Sequence, residues 1–113
     1  MNSQLGYLEE ITDSVGELKR ELPDAFEAQK AFDEAVYRDR AISRKTKRLI
    51  AMAVAVKDGC PGCITYQTRC ALEAGASKEE VVEATSVATS MGGTTAQAWA
   101  WIVVQVMKES GKW

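Results

Sequence analysis

The feature that most constrains the fold is a short turn that carries two cysteines, Asp58-Gly59-Cys60-Pro61-Gly62-Cys63. Asp58-Gly59 indicates the end of the hydrophobic segment before it, and Pro61 is typical of the first position of a new helix. The turn therefore predicts two antiparallel helices, with Cys60 at the N-cap and Cys63 at position N3 of the second. There the two thiols lie close enough for a reversible disulfide. Backbone N–H groups and the helix dipole favour thiolate over thiol at that position.

A C-x-x-C pair has three interpretations, and the rest of the sequence helps to separate them. A structural zinc needs four ligands, but the chain offers only Cys70 beyond the pair and no histidine, so a zinc site would need a second subunit. Two buried small hydrophobic residues are the second interpretation. The surrounding turn residues indicate a surface position, and we therefore favour a redox-active dithiol, with no metal and no cofactor.

Composition excludes several classes of function. A chain of 113 residues with a net charge of −2 predicts one soluble domain over residues 1–113 and no nucleic-acid partner. The sequence shows no membrane-spanning segment and no signal-peptide pattern, so we expect a cytoplasmic protein. Histidine is absent, which removes the commonest general base near neutral pH and leaves thiols, carboxylates, lysines and tyrosines for any chemistry.

Apolar residues at intervals of three and four predict an all-α bundle of about six helices, over residues 3–20, 24–38, 43–57, 60–75, 77–92 and 95–109. The segment 49–56 is apolar on every side and is interpreted as a central helix, although a buried strand has the same pattern. The second helix is expected to bury Phe26, Ala31, Phe32, Ala35 and Val36. Trp101 lies off the apolar face of the last helix, which indicates an interface between subunits. We therefore expect an oligomer.

The antiparallel arrangement predicts a site around the cysteines. Arg48 lies about ten residues before the turn and is level with residues 67–70 on the next helix. Gln67 follows Cys63 by four residues and shares its helical face. Arg48, Gln67 and Cys63 are therefore expected to form one cluster, bordered by Tyr66, which could supply a hydroxyl. We expect Cys63 to be the more reactive thiol.

The segments 47–54, 59–63 and 73–77 resemble the carboxymuconolactone decarboxylase family, in its alkylhydroperoxidase D-like branch, and the resemblance extends over residues 24–108. It implies an all-helical fold that assembles into dimers, trimers or hexamers. It also implies peroxide reduction through Cys60 and Cys63, with a dithiol partner as reductant. The family places a glutamate and a histidine, which act as a proton relay, where this chain has Arg48 and Gln67. The decarboxylase branch fits less well, because it is expected to use a histidine base.

Three hypotheses of function follow. The leading one is a thiol-dependent oxidoreductase that uses the Cys60/Cys63 pair for peroxide reduction or for dithiol–disulfide exchange. The second is a non-catalytic redox sensor or assembly subunit on the same fold. The third is a small-molecule enzyme that does not use its cysteines, because a fold does not fix a function.

Overall fold

Six α-helices and no strand make up the regular structure of residues 3–113, the part of the chain that the computed structural model describes. In chain order the helices are α1 (Gln4–Glu21), α2 (Pro23–Val36), α3 (Arg44–Asp58), α4 (Pro61–Glu73), α5 (Lys78–Trp99) and α6 (Trp101–Glu109). The predicted all-α fold is confirmed.

Helix α3 lies at the centre of the core and packs against both α4 and α5. Met52 and Val56 of α3 are fully buried. The other helices add Ile64, Ala71, Val81, Ala88, Ala96, Ile102, Val103, Val106 and Met107 to the core. Ile50 and Val54, on another side of α3, are half exposed. The prediction of a central helix is confirmed, and part of the apolar surface of that helix stays uncovered in the single chain.

The turn between α3 and α4 is fixed by Gly59, which has a left-handed φ of 70°. Its N–H donates to the carbonyl of Val56 (3.2 Å), and the N–H of Cys60 donates to the carbonyl of Ala55 (3.2 Å). This pair of bonds is the Schellman motif, which satisfies the last carbonyls of α3. A Cβ at position 59 would stand 2.6 Å from Nε1 of Trp99. Only glycine fits both the backbone conformation and the space beside the indole.

The end of the bundle differs from the prediction in one place. The expected break at Gly92-Gly93 is present, since Gly93 has φ 68° and ψ −153° and interrupts α5. The expected single helix over residues 95–109 is instead divided at Ala100, whose N–H donates three residues back (3.1 Å). Such a bond tightens one turn without a glycine or a proline, so residue type does not reveal it. Trp101 is half exposed, as predicted.

Helix α2 stands apart from the core. Among the helices it packs only against α1, and none of its residues is buried. The predicted inward face of α2 is therefore wrong for Ala31, Phe32 and Val36, which are exposed, whereas Phe26 and Ala35 are half-buried. Phe32 is 67% exposed. A helical period identifies an apolar face but not what covers it. The C-terminal end of α2 is held by Lys47, whose Nζ donates to the carbonyls of Val36 and Arg38 (2.7 Å each).

The first and last helices are joined by a carboxylate. Glu109, at the end of α6, accepts hydrogen bonds from the backbone N–H groups of Gln4 (2.9 Å) and Leu5 (3.1 Å). Helix α1 has no acidic residue in its own first turn. The carboxylate therefore satisfies two N–H groups at the positive end of the α1 dipole.

Candidate active site

The two cysteines occupy the start of α4 as predicted. Cys60 is the N-cap, Pro61 opens the helix, and Cys63 completes its first turn. The two cysteines form a disulfide, with their Cα atoms 5.2 Å apart. The backbone N–H of Cys63 donates to Sγ of Cys60 (3.3 Å), so the cap of the helix is the sulfur itself.

The helix terminus favours negative charge on these sulfurs but only modestly. The first turn of α4 contains no acidic residue, so its N–H groups face the cysteines without a competing carboxylate. A charge at an exposed helix end is stabilised by about 0.3–1 kcal/mol, which is less than one pKa unit. Cys63 is exposed and Cys60 is half-buried, so Cys63 is the more accessible residue of the pair. A strongly acidic thiol therefore needs a further group beside it.

Both cysteines line a groove of about 630 Å³ between α3, α4 and the end of α2. Its apolar wall is formed by Val36, Ile50, Ala51, Val54 and Ala55. Its polar lining is formed by Tyr37, Lys47, Asp58 and Gln67. An apolar wall with a few polar groups is typical of sites for small organic molecules.

Arg48 and Gln67 are brought together as the sequence predicts. Nη1 of Arg48 donates to Oε1 of Gln67 (3.0 Å) across the α3–α4 interface. Gln67 lines the groove, whereas Arg48 lies behind it and is 8% exposed. The guanidinium stacks on Tyr37, with its Cζ 3.6 Å from the ring centroid. At these two positions the structure has a hydrogen-bonded arginine and amide, neither of which serves as a general base near neutral pH.

Sequence reasoning missed two groups that position this site. Tyr37 supports the Arg48 guanidinium, and Lys47 fixes the carbonyls at the end of α2 beside it. Both contacts depend on how the chain turns between α2 and α3, which no spacing pattern records. An aromatic ring at a helix end followed by basic residues is the only signal that the sequence offered.

Tyr66 lies next to this cluster but not in the groove. Its ring centroid is 5.8 Å from Cζ of Arg48 and 5.7 Å from Cζ of Arg69. Burial raises the pKa of its hydroxyl, the nearby thiol of Cys70 raises it further, and Arg48 and Arg69 oppose these effects. Tyr66 is not among the residues that line the groove holding Cys63.

Two further observations concern residues 3–113. Within that range, no three histidine, cysteine or acidic side chains are placed to hold a metal ion together. None of the helices described there is long and apolar enough to cross a bilayer.

Comparison with known proteins gives the chain its family. Residues 23–105 match the model of the carboxymuconolactone decarboxylase family. This chain belongs to that family. Its fold agrees, since a crystal structure of a carboxymuconolactone decarboxylase family protein from Legionella pneumophila superposes with a TM-score of 0.90 at 30% identity, covering 94% of this chain and 95% of the other.

Other members of the carboxymuconolactone decarboxylase family and curated relatives agree with this placement. A family protein from Thermotoga maritima, for which an involvement in the antioxidative response has been suggested, superposes with a TM-score of 0.78 at 25% identity and covers 95% and 97% of the two chains. An uncharacterised protein of the cox locus of Paracoccus denitrificans is 35% identical over 85% of this chain and 86% of its own length. An uncharacterised protein of Cupriavidus necator is 34% identical over 76% of each chain.

Proposed function

We propose that this family member is a thiol–disulfide oxidoreductase in which Cys60 and Cys63 cycle between dithiol and disulfide. The observation that carries the proposal is the position of the pair, at a helix N-terminus and in the wall of an open apolar groove. A disulfide that closes so short a loop restricts the unfolded chain very little, so it adds little stability. The accessible position of the disulfide therefore favours a redox role over a structural one.

The proposed exchange begins at Cys63, the more exposed cysteine. An external thiolate attacks Sγ of Cys63, the S–S bond breaks, and Cys60 leaves as a thiolate that the N–H of Cys63 already contacts at 3.3 Å. The second thiol of the reductant then attacks the mixed disulfide, releases Cys63 as a thiol, and leaves as a disulfide. Two electrons pass from the external dithiol to the Cys60–Cys63 pair.

The proposed oxidant is a hydroperoxide. The Cys63 thiolate attacks the terminal oxygen, the O–O bond breaks, and the alkoxide leaves and takes a proton to become an alcohol. The sulfenic acid on Cys63 is then attacked by the Cys60 thiol, which expels water and restores the disulfide. The antioxidative role suggested for the Thermotoga maritima relative supports this reaction class. No histidine is available to remove the thiol proton, and a glutamine cannot accept one.

The assembly and location of the protein are part of the proposal. We propose that residues 1–113 act as one domain of a homo-oligomer, and that a second copy covers the apolar face of α2, which the single chain leaves open. A cytoplasmic location would supply the dithiol reductant, because that compartment keeps thiols reduced.

The proposal is tested by peroxide-dependent consumption of dihydrolipoamide with the purified protein. Cys60→Ser and Cys63→Ser should each abolish turnover, because each removes one half of the disulfide. Cys70→Ser is the matched control, since Cys70 is a free cysteine outside the groove. It should retain turnover within about twofold, as expected for a change remote from the reacting atoms.

Two results would count against the proposal. Turnover that survives in both serine variants would assign the reaction to other residues. A disulfide that forms and reduces reversibly, with no turnover of cumene hydroperoxide, hydrogen peroxide or a disulfide substrate, would favour a redox sensor instead. The observation that favours a redox sensor is the hydrogen-bonded pair of Arg48 and Gln67, which contains no general base.

A further inference from the structure

Arg48 is a buried cation that pairs with no carboxylate among the described residues. The ion pairs found within residues 3–113 do not include it, although its side chain is 8% exposed. Its Nε is buried without a hydrogen-bond partner in that range. A buried charge is costly unless it is paired, so a position that keeps one has a strong electrostatic effect on its neighbours. Stacking on Tyr37 at 3.6 Å recovers only part of that cost.

The arginine fixes the orientation of the neighbouring amide. A guanidinium has only donors, so the atom of Gln67 that faces Nη1 at 3.0 Å must be the carbonyl oxygen. What the carboxamide can offer to the groove is therefore its Nε2 group, with two N–H donors. Gln67 follows Cys63 by one helical turn on the same face, and both line the groove.

We propose that Gln67 donates an N–H hydrogen bond to the Cys63 thiolate, and that Arg48 is a positioning residue which holds the amide in that orientation. This inference rests on the proposed redox function of the cysteine pair and assigns a role to two further residues. The amide gains and loses no proton during the reaction. The thiol proton passes to solvent or to the leaving alkoxide, and the donor stabilises the charge that remains on sulfur.

The other charged and titratable groups of the groove act in opposite directions. Lys47 lies on α3 and favours a thiolate, whereas Asp58 lies at the end of α3 beside the turn and disfavours it. Tyr37, the C-cap of α2, also lines the groove.

The test is the pH dependence of Cys63 alkylation by iodoacetamide in a reduced Cys60→Ser/Cys70→Ser background. Serine keeps a side-chain acceptor at the N-cap. Gln67→Met, which keeps the length of the side chain and removes the donors, should raise the midpoint of the alkylation profile by about one unit. Arg48→Met should raise it similarly, and the double variant should add little to either single change, because both remove the same hydrogen bond.

Three outcomes would overturn the inference. If Arg48→Met shifts the midpoint of the alkylation profile and Gln67→Met does not, the arginine charge acts directly on the Cys63 sulfur. Fully additive shifts would show two independent effects, and unchanged midpoints would show no effect. Gln67→Met keeps the buried arginine, so its result stands even where Arg48→Met fails to fold. Alkylation needs no peroxide, so loss of the proposed turnover and loss of the midpoint shift are distinguishable.

Discussion

Replacing Gly59 with alanine should destabilise the protein through two separate costs. The φ of 70° lies in the left-handed region, where a residue with a Cβ costs about 1–2 kcal/mol. The new Cβ would also stand 2.6 Å from Nε1 of Trp99. Crowding of this kind in a packed site costs about 1–3 kcal/mol. Together the two costs predict a loss of about 2–5 kcal/mol in the free energy of unfolding.

Gly111 supplies the matched control. Its φ is 69°, almost the same as that of Gly59, but a Cβ added there would meet nothing within 4 Å. Gly111→Ala should therefore carry only the backbone cost, about 1–2 kcal/mol. Both substitutions reduce the backbone conformational entropy of the unfolded chain by the same amount, so this effect on the free energy of unfolding cancels in the comparison. The difference between the two variants measures the contact with Trp99.

Urea denaturation followed by far-UV circular dichroism, with the disulfide kept oxidised throughout, measures both free energies of unfolding. The m value, which is the slope of the free energy of unfolding against urea concentration, should be unchanged, because neither substitution alters the surface area buried on folding. Each kcal/mol should lower Tm by about 4 °C or more for a chain of this length. Equal losses for Gly59→Ala and Gly111→Ala would show that the indole moves aside without cost and would refute the packing argument.

Three further predictions concern the site, acid stability and assembly. The double variant Arg48→Glu/Gln67→His should raise peroxide turnover by about 10²–10⁴-fold, because an imidazole can accept the thiol proton. Arg48→Glu alone should not raise turnover, because it adds no base at position 67. Stopped-flow measurement of peroxide reduction gives the turnover of both variants. The backbone N–H of Ser77 and the ammonium of Lys45 hold the pKa of Glu80 below its usual value. The ionised carboxylate therefore stabilises the fold above pH 4.5, and that contribution is lost as the pH falls through the lowered pKa. Glu80→Gln should make the free energy of unfolding depend less on pH in this acid range, as measured by denaturation at a series of pH values. Sedimentation at micromolar concentration should show a mass above the 12.3 kDa of one chain, and a species of only that mass would contradict the expected oligomer.

The sequence predicted the helices and the polar turn well because those features depend on neighbouring residues. The N-cap at Cys60 and the contact between Arg48 and Gln67 follow from counting along two helices joined by a tight turn. What it could not predict depends on contacts between distant segments. Tyr37 lies against Arg48 because of the way α2 meets α3. Phe32 is exposed because its apolar face has no cover within one chain.

The carboxylate that Glu109 places on the first turn of α1 sets an order of events during synthesis. Helix α1 leaves the ribosome early, but two of its terminal N–H groups have their partner more than a hundred residues later, with hydrogen bonds spanning 105 and 104 positions. Until α6 emerges, α1 lacks these two hydrogen bonds and the part of its packing surface that α6 provides, while α2 and α4 provide the rest. Part of the apolar face of α1 therefore stays uncovered until α6 is made, and the last turn of α6 completes the packing around α1.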